Sequence, residues 1–258
     1  MGFPTVLKSN GTSGGDGVRI VDNLESALRA FRKLQSPPLL ARALKRALID
    51  RDRTLLWPSL LRRRSAVSAQ TLILGNEATS TIACWRGAVR ASLHFEVVKK
   101  RDATGPSTVL HLIDNAEMSA AAERMSRKLN LSGIYGLDFI LEQHTGHAYL
   151  IEVNPRATQV GHLTLGTGHD LPAALFASVT DTKIQEAPAL TEKDIIALFP
   201  QEWLRNPTSS FLDTGFHDVP WKEPDLIRAC FRKSRSWNAW RSQQKSMEAL
   251  SSAGQHRL

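Results

Sequence analysis

Cysteine is nearly absent from this chain, with two residues in 258, Cys84 and Cys230. So few cannot build a disulfide framework, and without a Cys-x-x-Cys or His-x-x-x-His they leave no zinc site. Both are expected to be reduced thiols of a cytosolic protein. Long apolar runs are missing too. None approaches the ~20 residues that span a bilayer, and the opening Met1–Lys8 lacks the basic-then-apolar layout of a signal peptide. No Gly-Lys-Ser/Thr follows the glycines, which excludes a Walker A loop. Repeats and low-complexity tracts are absent. What remains is globular: 42% of residues are hydrophobic, and the length allows a sizeable core and one or two domains.

The net charge of +8 is local. Residues 41 to 64 hold eight Lys/Arg against two Asp, and residues 222 to 245 hold seven against one Glu and one Asp, so the rest sums to −3. Trp237 and Trp240 lie among basic residues, as nucleic-acid binding would ask. No nucleic-acid motif accompanies them, and solvated helix faces are the ordinary reading.

Periodicity predicts a strand over Thr5–Lys8, a glycine-rich loop from Asn10 to Gly17, and a strand over Val18–Val21. A helix follows, with Asp22 as N-cap, Glu25 in the capping-box position, and Leu24, Ala27, Leu28, Phe31 and Leu34 on one face. Pro37-Pro38 ends it, and a basic helical stretch runs to about Asp52. Strands begin near Thr71. Arg86-Gly87 reads as a hairpin turn, and Val89, Ala91, Leu93, Phe95 and Val97 as the buried side of a strand. Met118, Ala121, Ala122, Met125 and Leu129 form a helix stripe that reads as core. Strands at 134–142 and 147–154 and a helix from Asp170 to about Ser178 complete the pattern.

His144-Thr145-Gly146 fits a hairpin loop with Gly in the left-handed position. Opposed residues should then have numbers summing to 290. That pairs Leu137 with Val153, Phe139 with Ile151 and Leu141 with Tyr149 on an apolar face. Asp138 with Glu152, Ile140 with Leu150 and Gly136 with Asn154 share the other. Two carboxylates directly opposed repel by roughly 3 kcal/mol at about 5 Å and an effective dielectric near 20. A divalent cation would remove that cost, and oxygen ligands from Asp, Glu and Asn suit Mg²⁺. A solvated acidic hairpin tip with one raised pKa is the alternative.

The loop Ser9-Asn10-Gly11-Thr12-Ser13-Gly14-Gly15-Asp16-Gly17-Val18 joins two expected strands. Its glycines can offer backbone N–H groups to phosphate, with Lys8 adding a point charge; a plain hairpin loop is the alternative. Taken with Gly136-Leu137-Asp138-Phe139 and Tyr149-Leu150-Ile151-Glu152-Val153-Asn154-Pro155-Arg156, this order of motifs resembles the ATP-grasp superfamily. Gln70-Thr71-Leu72-Ile73-Leu74-Gly75-Asn76-Glu77 is similar to its hinge. The resemblance covers roughly residues 4 to 178.

That resemblance implies an α+β fold of two lobes clamping a nucleotide, with the N-terminal lobe incomplete. It implies an N-terminal lobe at 1–74, a metal-bearing lobe at 75–182, and a basic, Trp-containing extension at 183–258. Lys8 would contact the ATP phosphates beneath Gly14, Gly15 and Gly17. Gln70, Thr71 and Leu72 would line adenine, Glu77 would accept from ribose, and Asp138, Glu152 and Asn154 would hold Mg²⁺ or Mn²⁺. Arg156 would stabilise the transferred phosphoryl group. The implied cofactors are ATP and Mg²⁺, and the implied chemistry is carbon–nitrogen ligation through an acylphosphate, with an unidentified carboxylate and nucleophile as partners. A non-catalytic ATP-binding remnant, or a homo-oligomer or partner supplying a missing segment, stays open; no membrane partner is expected. His162 and His169 are expected to be structural.

Overall fold

The structure, a computed structural model, describes residues 2–9, 17–37, 39–49, 51, 53, 55–103, 105–184 and 188–231, with side chains 42 and 46 left out. The chain divides into two compact units, Met1–Ile73 and Leu74–Leu258. Among the described residues no helix is long and apolar enough to cross a membrane.

In the first unit β1 (Thr5–Ser9) is central, between β2 (Val18–Val21) and β3 (Val67–Thr71), both antiparallel to it. The helices are α1 (Leu24–Gln35), α2 (Leu40–Ile49) and α3 (Leu56–Leu60). Helix α1 starts one residue later than the sequence suggests. Asn23, not Asp22, is the N-cap; it accepts from the Ser26 N–H, and the Ser26 hydroxyl completes the capping box in place of Glu25. Glu25 instead pairs with Arg29. Leu34, Ala27 and Ala30 pack on Leu7 and Val21. Leu24, Leu28 and Phe31, expected on that face, are exposed.

The second unit is a seven-stranded sheet. Its strands are β4 (Gly75–Trp85), β5 (Ala88–Lys100), β6 (Ser107–Leu112), β7 (Gly133–Glu142), β8 (Ala148–Asn154), β9 (Ile195–Leu198) and β10 (Phe216–Asp218). They lie in the order β10-β9-β6-β5-β4-β7-β8, antiparallel except for β10 with β9. Ile195–Leu198 and Phe216–Asp218, beyond residue 183, thus belong to this sheet. Helix α4 (Ala116–Leu129) covers one face through Met118 and Ala122, against Ile82, Leu137 and Phe139. Helix α5 (Leu171–Thr180), capped by Asp170, covers the other with Leu163 and Val160, against Leu93 and Phe95. The remaining helices, α6 (Gln201–Arg205), α7 (Phe211–Thr214) and α8 (Pro224–Phe231), gather around Trp203 and Phe231.

Three expectations shift here. Arg86-Gly87 does form the hairpin turn, with φ of 50° and 79°, but a bulge at Ala83/Cys84 pairs Cys84 with Val89 and so turns Val89 to the α4 side, away from Ala91, Leu93 and Phe95. The buried line of α4 ends on Ser126, leaving Leu129 exposed. The β7–β8 register sums to 290 only for Gly136–Asn154, Leu137–Val153 and Asp138–Glu152. Beyond a bulge, Phe139 faces Leu150, Ile140 faces Tyr149 and Leu141 faces Ala148. One extra residue, Ile151, therefore lies on β8. The bulge restores Leu150 and Ala148 to the α4 core and leaves Tyr149, 40% exposed, outside it.

Candidate functional site

The site is built on three neighbouring strands. A row across the sheet runs Thr79, Asp138, Glu152, and the next runs Thr81, Gly136, Asn154. Directly paired residues point to the same face. Asp138, Glu152 and Asn154 therefore share the side of the sheet opposite α4, as the sequence register requires. Glu77, two residues before Thr79, lies on that side too.

Asp138 is the best-held member. Its Oδ1 accepts from the Thr79 hydroxyl at 3.0 Å and its Oδ2 from the Asn154 Nδ2 at 2.8 Å. Burial pushes its carboxyl above the usual range, and the two hydrogen bonds only partly oppose this; the charge on Glu77 raises it and that on Arg156 lowers it. Glu152, directly opposite, is exposed. With Asn154 donating through Nδ2, its carboxamide oxygen is left to accept elsewhere. Among the described residues no three His, Cys, Asp or Glu side chains gather at a metal-binding point; the set here is two carboxylates and one carboxamide.

Arg156 follows the end of β8. Its backbone N–H donates to the Asn154 carbonyl at 2.8 Å, its side chain is exposed, and among the described residues it makes no ion pair. Glu77 pairs with Lys100 at 2.8 Å, which also donates to the Ala103 carbonyl at 2.9 Å. An open cleft of about 430 Å³ lies beside this pair, lined by Asn76, Glu77, Val97, Lys99, Lys100 and Asp102.

In the first unit, Lys8 faces Ser68 and Val6 faces Gln70 across the β1–β3 ladder. Leu7 and Val67 take the other side, against α1. Lys8 and Gln70 thus share the face away from α1. Thr71 is the last residue of β3, opposite Thr5, and Leu72 follows it. The Gly17 carbonyl accepts from Ser9 N at 2.9 Å, which closes the strand pair. Gly14 and Gly15 lie outside the described residues.

Two contributors escape a linear reading. Thr79 reaches Asp138 only because β4 and β7 are neighbours, 59 residues apart in sequence. Thr158 packs its methyl over Gly136, where a Cβ would overlap it, and its hydroxyl is buried with no partner among the described residues. The only linear signal was the glycine itself. His162 is exposed and pairs with Asp218 of β10 at 2.8 Å, which holds its pKa above the usual histidine range.

A family model described as the carbamoyl-phosphate synthase L chain, ATP binding domain, matches residues 1–185. No curated protein matches the sequence. Among solved structures, the chain is similar to the biotin carboxylase domain of a Hydrogenobacter thermophilus 2-oxoglutarate carboxylase, in complex with MgADP, ADP and bicarbonate. The identity is 15%, the match covers 72% of this chain and 38% of that one, and the TM-score is 0.46. A Staphylococcus aureus N5-carboxyaminoimidazole synthetase matches at 12% identity, over 71% of this chain and 42% of that one, with a TM-score of 0.43. An Aspergillus clavatus carboxyaminoimidazole ribonucleotide synthase, complexed with ATP, matches at 15% identity, over 71% and 42%, with a TM-score of 0.42. The chain spans about two fifths of the length of these three. With the family model covering residues 1–185 of 258, the chain belongs to the carbamoyl-phosphate synthase L chain ATP-binding domain family, within the ATP-grasp superfamily.

Proposed function

We propose that this chain binds Mg²⁺-ATP and serves an ATP-dependent ligase that activates a carboxylate as an acylphosphate for displacement by an amine or another nucleophile. The observation that carries the reading is Asp138 opposite Glu152, with Asn154 bonded to Asp138. An all-oxygen donor set, one member of which is disfavoured as an anion by burial, fits a hard divalent cation.

In this reading Asp138, Glu152 and Asn154 hold the metal, which when bound neutralises charge on phosphate oxygens. Thr79 fixes the Asp138 carboxylate, so little reorganisation remains when the site is filled. Arg156, without an ion-pair partner among the described residues, is left to face the transferred phosphoryl group. Lys8 and Gly14, Gly15 and Gly17 cover the phosphates, Gln70, Thr71 and Leu72 line adenine, and Glu77 accepts from ribose. Glu77 exchanges or shares its Lys100 bond in doing so. The carboxylate oxygen attacks the γ-phosphorus and ADP leaves. The nucleophile then attacks the acyl carbon and phosphate leaves. The protein contributes positioning and a preorganised field rather than covalent chemistry.

The test is calorimetry of ATP binding with and without Mg²⁺, on the parent and on Glu152→Gln. The substitution keeps shape and removes one charge, so Mg²⁺-dependent affinity should fall at least about tenfold, with metal-free affinity little changed. Equal affinity with and without Mg²⁺, unaltered in the variant, overturns the reading.

A further inference from the structure

A helix at the surface of a globular domain normally turns its apolar stripe to the core. Helix α2 does the reverse. At 3.6 residues per turn Leu40, Leu44 and Leu48 fall along one line, and they are 48%, 46% and 80% exposed. Among its described side chains the fully buried one is instead the small Ala43. The apolar surface continues into α3, which packs against α2. There Trp57 is 70%, Leu60 60% and Leu61 55% exposed. Leu and Trp in one solvent-facing pair of helices far exceed the scattered exposed apolar residues that a monomer carries.

Charge is interleaved with this surface and is mostly basic, eight Lys/Arg against two Asp over residues 41 to 64. Lys45, Arg51, Arg53, Arg62, Arg63 and Arg64 are all exposed. Lys is depleted at protein interfaces but Arg is enriched there, so the cations alone do not choose the partner; their layout around an apolar stripe does. A bilayer surface has the complementary layout. Leucine and tryptophan enter the boundary between headgroups and acyl chains, while lysine and arginine reach the phosphate and carboxylate of anionic lipids.

We propose that the α2–α3 pair is a surface-lying membrane-binding element and that its partner is an anionic lipid bilayer. The lack of a 20-residue apolar run excludes a spanning helix, which is a different demand. A helix that lies in the interface needs an apolar stripe and a basic rim, not length. This proposal departs from the expectation of no membrane partner. The element does not depend on what the nucleotide site does.

The full chain is floated with phosphatidylcholine vesicles and with phosphatidylserine-rich vesicles. Binding to the anionic vesicles is expected, at least about tenfold tighter than to neutral ones, and reversed near 1 M salt, where the Debye length is about 3 Å. Leu44→Glu/Leu48→Glu and Arg63→Glu/Arg64→Glu should each lower it at least about tenfold. Arg235→Glu/Arg241→Glu, in the other basic stretch, should leave it unchanged. Circular dichroism melts establish that each variant is folded. Independently, brominated lipid should quench part of the tryptophan emission of the parent, and that part should be missing in Trp57→Phe. The proposal is overturned by absent or equal binding to the two vesicle types, or by binding that only the Arg235/Arg241 pair changes. A dimer that Leu44→Glu/Leu48→Glu dissociates, without vesicle binding, gives the face to a second copy and overturns it too.

Discussion

Thr158 occupies the space that a side chain on Gly136 would need: a Cβ there would overlap the Thr158 Cγ2 and come within 3.4 Å of the Asn154 Cβ. The glycine lets a loop segment close over the strand pair that carries Asp138 and Glu152. Three glycines, Gly136 and Gly146 of the β7–β8 hairpin and Gly75 at the start of β4, should therefore rank by what surrounds them. Gly146→Ala meets open space and has only its φ of +71° against it, costing about 1–2 kcal/mol. Gly136→Ala must displace a stiff β-branched side chain, at about 1–3 kcal/mol. Gly75→Ala would run into the Leu141 backbone carbonyl, which cannot rotate away, and should cost the most. Urea melts of the three variants check the order; Gly146→Ala as damaging as Gly75→Ala contradicts it.

Asp138 should make stability depend on metal and pH. Burial raises its folded pKa above the unfolded value, so the folded state holds the proton more tightly. Its contribution is then favourable at low pH and is lost as pH rises from the ordinary Asp value through the raised one. Asp138→Asn removes that loss. Without metal the variant should melt above the parent at pH 7, and Mg²⁺-ATP should no longer raise its melting temperature. A variant less stable than the parent, yet still stabilised by Mg²⁺-ATP, would refute the assignment.

His94 has the opposite sign. Its Nδ1 lies 2.7 Å from the Ser80 hydroxyl and its Nε2 2.9 Å from that of Ser119. Burial lowers its pKa to about 4, helped by the charge on His169. A histidine kept neutral in the fold supports it above pH 6.5, and that support is withdrawn as pH falls toward 4. The full effect is roughly 3 kcal/mol for a shift from 6.5 to about 4. His217, also lowered to about 4 by burial, adds to the trend. His94→Gln should flatten the stability profile between pH 6.5 and 4; the same slope as the parent would count against it.

Glu202 is fully buried and held by Arg205 through Nε and Nη2. Burial, the largest influence, pushes its carboxyl up, but the hydrogen bonds it accepts, Arg205's first among them, together with the guanidinium charge leave the pKa below the usual range. Its support is therefore present at neutral pH and lost on acidification. Glu202→Gln should cost about 1.5–3 kcal/mol, the range for hydrogen bonds to charged groups. Thermal melts at pH 7 read it, and a neutral substitution would show the pair to be dispensable.

The strands at β1, β2, β7 and β8 and the helices α1, α4 and α5 were legible because each rests on local periodicity, and the left-handed residue of the β7–β8 turn was legible because Gly146 supplies a φ of +71°. The facing of Asp138 and Glu152 was legible as well, from the alternation at 136–138 and 152–154. Alternation gave no phase through Ala148-Tyr149-Leu150-Ile151, where every residue is apolar or aromatic. There the contact with α4 chose the register, and the bulge at Ile151 followed.

By itself, the sequence determined that two carboxylates and a carboxamide lie on one side of a hairpin, because side chains on a strand alternate with a period of two. Tertiary structure decided that Thr79 of β4 donates to Asp138, that Thr158 closes over Gly136, and that Ile195–Leu198 joins the sheet beyond β6. It also decided that Leu40, Leu44 and Leu48 face outward. The reason is common to all four. Periodicity says which residues share a face, but only the neighbour that packs there says which face is buried and what the exposed one can meet.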